Sequence, residues 1–149
     1  MRRVSVQVED FDVATELAAL EVLGGGGVAS FTGVVRGDGG LVALELEHYP
    51  AMTEKALVGI EAEALARWPL RASLILHRHG PLAPGEQIMM VATAAAHRAE
   101  AFAAAEFLMD YLKSRAPFWK KETTAAGGAW VDARDADEAA LARWRRDTA

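Results

Sequence analysis

Three of the four lysines in this 149-residue chain, Lys113, Lys120 and Lys121, fall within the stretch KSRAPFWKKE at 113–122, while the remaining twelve basic residues are arginine. That stretch carries a formal charge of +3 in a chain whose net charge is -5. Arginine keeps its charge at any ordinary pH, whereas a lysine that is partly buried or crowded by other cations gives up its proton more readily and then serves as base or nucleophile. Lysines gathered beside Arg115, Phe118 and Trp119 therefore point to a site that needs a cation able to exchange a proton. The plainer alternative is a solvated basic face after a helix C-terminus, where cations are favourable in any case.

Other residues have the chemistry of anion recognition. Arg36 closes an apolar run beside a glycine turn and has the planar fork that holds a phosphate or carboxylate. His97 and Arg98 stand at the expected start of a long helix, where backbone N–H groups and the helix dipole favour an anion. At about 1.5 Å per residue, a straight helix separates His97 from Lys113 by about 24 Å. If both act on one small molecule, they meet across a symmetric dimer. Gly24 to Gly27 is glycine-rich but lacks the Lys and Ser/Thr of a phosphate loop, and it reads as a flexible turn. His77 and His79, two apart on an expected strand, have no acidic or Cys partner nearby in sequence, so a structural role is simpler for them than metal ligation. Phe102, Met109 and Leu112 read most simply as core.

The elements that must position these residues follow from periodicity. RRVSVQV alternates as a first strand, and Asp12 caps a short helix, VATELAALEVL. VASFTGVVR and LVALELEHY, separated by GDGG at 37–40, read as an antiparallel hairpin with Glu45 and Glu47 opposite Leu44, Leu46 and His48. From Thr53 the spacing of Leu57, Ile60, Ala64 and Trp68 is helical up to Pro69. ASLILHRHG and EQIMMVATAAA read as two more strands joined through PLAPG. The Ala-rich run from His97 to Arg115 is a strong helix former stopped by Pro117. FWKKET is a short strand, and Asp135, Asp137 and Glu138 open a last helix closed by Arg143, Arg145 and Arg146. The order β-α-β-β-α-β-β-α-β-α predicts a single α+β domain over 1–149, with a mainly antiparallel mixed sheet packed with helices.

At 52% hydrophobic, the chain has ample apolar material for the core of one ordinary domain. No run approaches the roughly 20 apolar residues of a membrane span, and MRRVSVQVED lacks the apolar segment of a signal peptide, so the expectation is a soluble, cytoplasmic protein. With no Cys there is no disulfide, thiolate metal site or sulfur nucleophile. The acidic balance argues against a general nucleic-acid binder.

The segments FTGVVR, LEHYPAMTEKAL, RWPL, HRHGPLAPGE, AHRAEAF and FLMDYLKSRAPFWKKE, followed by WVDAR, occur in that order from about Ser30 to Arg134. Together they resemble the large catalytic subunit of molybdopterin synthase, and the resemblance implies an α/β hammerhead-like fold. The resemblance implies a sulfurtransferase that converts cyclic pyranopterin monophosphate into molybdopterin. The sulfur would come from the thiocarboxylated C-terminal glycine of a small ubiquitin-like partner, within a heterotetramer built on a homodimer of large subunits. It implies no cofactor and no metal. By motif position, Lys113 and Lys120 would be catalytic, with Lys113 near the partner's terminal carbonyl. Arg36, His97, Arg98, Lys120, Glu122 and Arg134 would bind the substrate, His97 and Arg98 being drawn from the neighbouring large subunit. Phe31, Met109 and Lys113 would line the channel for the partner's tail. A chain without Cys cannot hold a persulfide, so a sulfur donor on a partner fits its composition. The resemblance leads to the expectation of a longer turn than GDGG after Arg36 and of a more polar approach to the second strand than Gly24 to Gly27. Two other readings remain at this point: an adaptor that docks a ubiquitin-like tail without chemistry, and a phosphate-ester or nucleotide enzyme working alone. The small-anion residues speak against the first, and the lack of a phosphate-loop sequence against the second.

Overall fold

The computed structural model describes residues 2–23, 25–124, 127–131 and 135–145. Its strands are β1 (Arg2–Gln7), β2 (Gly27–Val34), β3 (Leu41–His48), β4 (Leu70–Arg78), β5 (Gly80–Leu82), β6 (Gln87–Ala95), β7 (Phe118–Thr124) and β8 (Gly127–Val131). Its helices are α1 (Val13–Glu21), α2 (Pro50–Arg67), α3 (Arg98–Arg115) and α4 (Asp135–Ala142). The strands form two four-stranded sheets, ordered β1-β4-β6-β2 and β5-β3-β7-β8. Among the described residues only the β1/β4 pair is parallel, and the fold is a mixed α+β single domain as the sequence predicts.

Local chemistry sets the helix ends. The Asp12 carboxylate accepts a bond from the Thr15 N–H at 2.9 Å and starts α1. Pro50 occupies the first turn of α2, where its missing N–H costs nothing, and Pro69 prevents continuation past Trp68. His97 stands at the N-cap of α3 without a side-chain capping bond.

The first sheet is buried on both faces, which is why β4 and β6 read as near-continuous apolar runs. Alternation sends Ile75, Met89 and Val91 towards Leu57, Ile60 and Ala64 of α2 and Phe107, Leu108 and Leu112 of α3. Leu74, Leu76, Met90 and Ala92 pack on the other side with Phe11 and Leu20. The alanines of α3 have a packing purpose: Ala101 and Ala105 meet Ala29 of β2 and Ala95 of β6, small against small. A further cluster, Val35, Leu44, Leu46 and Leu82, supports the second sheet.

The expected hairpin between β2 and β3 does not form. β2 pairs with β6 along its length, and β3 lies in the other sheet between β5 and β7. The crossing is made where the Val35 N–H donates to the Glu86 carbonyl and the Gly85 N–H donates to the Val35 carbonyl, so the chain leaving β2 follows the 83–86 turn and does not fold back. β5 and β8 are additions to the sequence expectation, both short edge strands. Phe102, expected in the core, is 65% exposed, because the face of α3 that meets the sheet is filled by alanines and by Phe107. The Gly24–Gly27 segment is no open spacer where it is described: Gly26, at φ +120°, runs so close to β6 that a Cβ would stand 2.1 Å from the Ala95 carbonyl oxygen.

Candidate active site between the sheets

A cleft of about 720 Å³ opens between the two sheets at the C-terminal end of α3. β2 and the residues after it supply Phe31 and Arg36, β4 supplies His77, α3 supplies Lys113, and β7 supplies Phe118, Lys120 and Glu122. Leu44, Leu46, Ile88, Met89 and Leu112 form apolar wall.

The alternation of β7 sorts the lysines. Phe118, Lys120, Glu122 and Thr124 share the face that lines the cleft. Trp119 and Lys121 take the opposite face, where Trp119 meets Tyr49 edge-on at 4.5 Å and the Lys121 ammonium lies 5.9 Å from the centre of the Trp130 ring. The basic stretch is therefore two surfaces and not one crowd. Lys113 arrives from a different element, held at the helix C-terminus where the dipole favours a cation. Lys120 Nζ lies 3.9 Å from Glu122 Oε1, and Arg36 Nε lies 4.0 Å from Asp38 Oδ1; both pairs are open enough to water to be weak.

Arg36, Lys113, Lys120, Glu122 and Phe31 are thus brought together from segments as far apart in sequence as Phe31 and Glu122. His97 and Arg98 are exposed at the far end of α3, about 24 Å from Lys113 along the helix. Gly27, at the opposite end of β2 from Arg36, lies against Arg98. Met109 packs against the core cluster around Phe107 and is not among the residues lining the cleft. Arg134 lies outside the described residues.

His77 is the cleft residue to which the sequence assigned no active part. It is 7% exposed, stacks on Phe118 with ring centroids 3.8 Å apart, and has Nδ1 2.8 Å from the Arg78 carbonyl oxygen. Burial pushes its pKa down to about 4, the Arg78 carbonyl bond opposes this, and the charges of Lys113, His48 and His79 push further down. His48 is likewise lowered, first by burial and then by His79, whose ring lies 4.3 Å away. The available signal for His77 was its parity with Ile75 on β4, which puts it on the α3 side of the sheet; it needed the knowledge that the α3 C-terminus lies there. Among the described residues, no group of three or more His, Cys, Asp or Glu is placed to hold a metal ion, and no helix is long and apolar enough to cross a membrane.

Two primary amines, a guanidinium and two carboxylates stand around an apolar-walled cleft in this α+β protein, an arrangement with the charge and depth of a small-molecule site. The chain belongs to the MoaE family: the family model described as MoaE protein matches residues 6–115. It is 61% identical over 145 residues to the molybdopterin synthase catalytic subunit of Cereibacter sphaeroides, covering 95% of this chain and 99% of that one. It is 58% identical to the protein of the same name from Ralstonia nicotianae, covering 97% and 85%. The solved molybdopterin biosynthesis MoaE protein from Burkholderia ambifaria superposes with a TM-score of 0.84 at 56% identity, over 97% of this chain and 98% of that one. Molybdopterin synthase from Staphylococcus aureus superposes with a TM-score of 0.77 at 31% identity, over 85% and 95%.

Proposed function

We propose that this chain performs the catalytic-subunit reaction of a molybdopterin synthase. Sulfur passes from the thiocarboxylated C-terminus of a small ubiquitin-like partner to cyclic pyranopterin monophosphate, and two transfers build the dithiolene of molybdopterin. In each transfer the donor sulfur forms a bond to a substrate carbon as that carbon loses a C–O bond, one oxygen leaving as water and the other staying on phosphorus as the cyclic phosphate opens, and the sulfur's bond to the partner's acyl carbon breaks. Water supplies the oxygen that returns the partner tail to a carboxylate, so no electrons are gained or lost.

The observation that carries this reading is the meeting of Lys113 and Lys120, from a helix end and a strand, in one cleft with Arg36 in a chain that has no Cys. Lys113 stands near the partner's terminal carbonyl and Lys120 near the pterin, each giving or taking a proton as the acyl–sulfur bond breaks and the cyclic phosphate opens. Arg36 holds the phosphate, with Glu122 and Arg134 near the pterin, and Phe31 and Met109 belong to the path of the partner's tail. His97 and Arg98 complete the pocket of a neighbouring copy, since α3 carries them too far from their own Lys113. The working assembly is then a homodimer of large subunits with a small subunit on each, in the cytoplasm, and it uses no cofactor or metal.

The test is a single-turnover reaction of purified protein, thiocarboxylated partner and cyclic pyranopterin monophosphate. Product from the wild type and none from Lys113→Ala supports the reading. No product from the wild type, with the partner still bound, overturns it in favour of an adaptor.

A further inference from the structure

Three residues stand in line across the first sheet, on the side that α3 covers: His77 of β4 is level with Met89 of β6, and Met89 is level with Gly33 of β2. All three line the cleft. The next row back is Ile75, Val91 and Phe31. Side chains fill both rows except at Gly33, so the sheet has a notch at its edge strand, bounded by Phe31 along β2 and by Met89 across on β6. A Cβ placed there would stand 3.2 Å from Met89 Sδ and 3.8 Å from Phe31 Cε1.

The backbone does not ask for glycine here. The φ of Gly33 is not positive, and the irregularity just beyond it, between Gly33 and Val34, puts the additional residue, Ile88, on β6. Packing does not demand glycine either, because the nearest atoms belong to Met89, an unbranched side chain that adapts by rotation. Glycine inside a strand loses backbone entropy on folding and packs nothing, and where neither a bulge nor a positive φ calls for it, it marks the close approach of a ligand or of another backbone. Since Gly33 lines the cleft, that approach is made from the cleft. On the sulfur-transfer reading two ligands enter there. The charged pterin has Arg36, Lys120 and Glu122 to meet it, whereas the side chains bounding the notch are an aromatic ring and a thioether. Among the described residues β2 pairs with β6 alone, so its outer edge also offers N–H and C=O groups to a peptide main chain. We propose that Gly33 is a specificity-determining residue: its vacant side-chain position takes the main chain of the partner's C-terminal glycine, against Phe31, and admits only a tail that ends without a side chain. The identity of the occupant rests on the sulfur-transfer reading, while the notch is a property of this chain.

Two measurements test the assignment. The first is the dissociation constant of the partner in its carboxylate form, by titration calorimetry, for wild type and Gly33→Ala. The added methyl should weaken partner binding by about 10- to 100-fold, the effect of overfilling a close-packed contact. Affinity for cyclic pyranopterin monophosphate should be unchanged, and the urea midpoint should not fall. A glycine that merely spared Met89 would give the reverse pattern, a lower midpoint with partner affinity intact. Partner binding as tight as in wild type therefore overturns the proposal. The second measurement leaves this chain intact. In ¹⁵N-labelled wild type the Gly33 amide resonance should move when the partner is added, and should stay in place when the added partner lacks its C-terminal glycine. An amide unmoved by the whole partner, or moved equally by both forms, overturns the proposal, and this readout decides alone if Gly33→Ala does not fold. If the partner fails to bind wild type at all, the sulfur-transfer reading fails and takes the assignment with it; if it binds wild type and Gly33→Ala alike, the assignment fails and that reading stands.

Discussion

The neutral state of His77 has a thermodynamic consequence that can be weighed in advance. The unfolded chain binds a proton at the ordinary histidine pKa of 6.5, whereas the native protein resists it down to about 4. A depressed histidine pKa means that the native state binds fewer protons, so stability is intact above 6.5 and is lost as pH falls towards 4. At pH 7.5 the effect is negligible. At pH 5.0 the unfolded state gains about 1.5 pH units of protonation free energy that the native state lacks, or about 2 kcal/mol. With a urea slope near 2 kcal/mol/M, that is about 1 M in unfolding midpoint. The assay is urea denaturation of wild type and His77→Asn at both pH values. Other groups titrate in both proteins, including His48, so the difference of differences isolates His77: the wild type should lose about 2 kcal/mol more than the variant between pH 7.5 and 5.0. Parallel losses, within about 0.5 kcal/mol, would show that His77 is protonated in the folded protein and would refute the reading of it as a buried neutral ring.

Gly26→Ala should destabilise by about 2–4 kcal/mol in urea denaturation, since an alanine resists φ +120° and its Cβ meets backbone, which cannot rotate away. Phe107→Ala, emptying a fully buried site touched by Trp68, Tyr111 and Trp144, should cost about 3–5 kcal/mol by the same measurement. Lys113→Arg keeps the charge but not the exchangeable proton and should lower single-turnover rate by about 10²–10⁴, whereas Lys121→Arg, on the outer face of β7, should react at the wild-type rate. Mixing a His97→Ala/Arg98→Ala chain with a Lys113→Ala chain should restore about a quarter of the wild-type sites by random pairing, and no recovery after mixing would show that each site is built within one chain.

Period-two and period-3.6 patterns revealed β1, β4, β6, β7 and all four helices, because each needs only its own residues to declare itself. The partner of β2 did not show, since its alternation fits β3 and β6 equally and the choice is made by a long-range match to β6 and by the Val35–Glu86 backbone bond. The grouping of Arg36, Lys113 and Lys120 came from the resemblance. Composition saw only that lysines were concentrated, and it counted Lys121 with Lys113 and Lys120 although strand alternation points Lys121 the other way. Phe102 misled because helix propensity marks a helix without marking which of its apolar residues meets the sheet. His77 stayed hidden because what defines it, a carbonyl on one edge and Phe118 on its face, comes together only after β4 and β7 are folded.

The walls of the cleft are drawn from the core itself. Leu44 and Leu46 support the second sheet and also face the cavity, and Met89 and Leu112 do the same for the first sheet. The protein has no inert lining between its interior and its reagents. Trimming one of these side chains would change the spacing of the cations as directly as it changes the melting curve, so rate and stability are written in the same few atoms. Natural variation at such positions is therefore filtered twice, and a relative that swaps one wall residue is expected to carry a matching change in volume across the cavity, even where every charged group is kept.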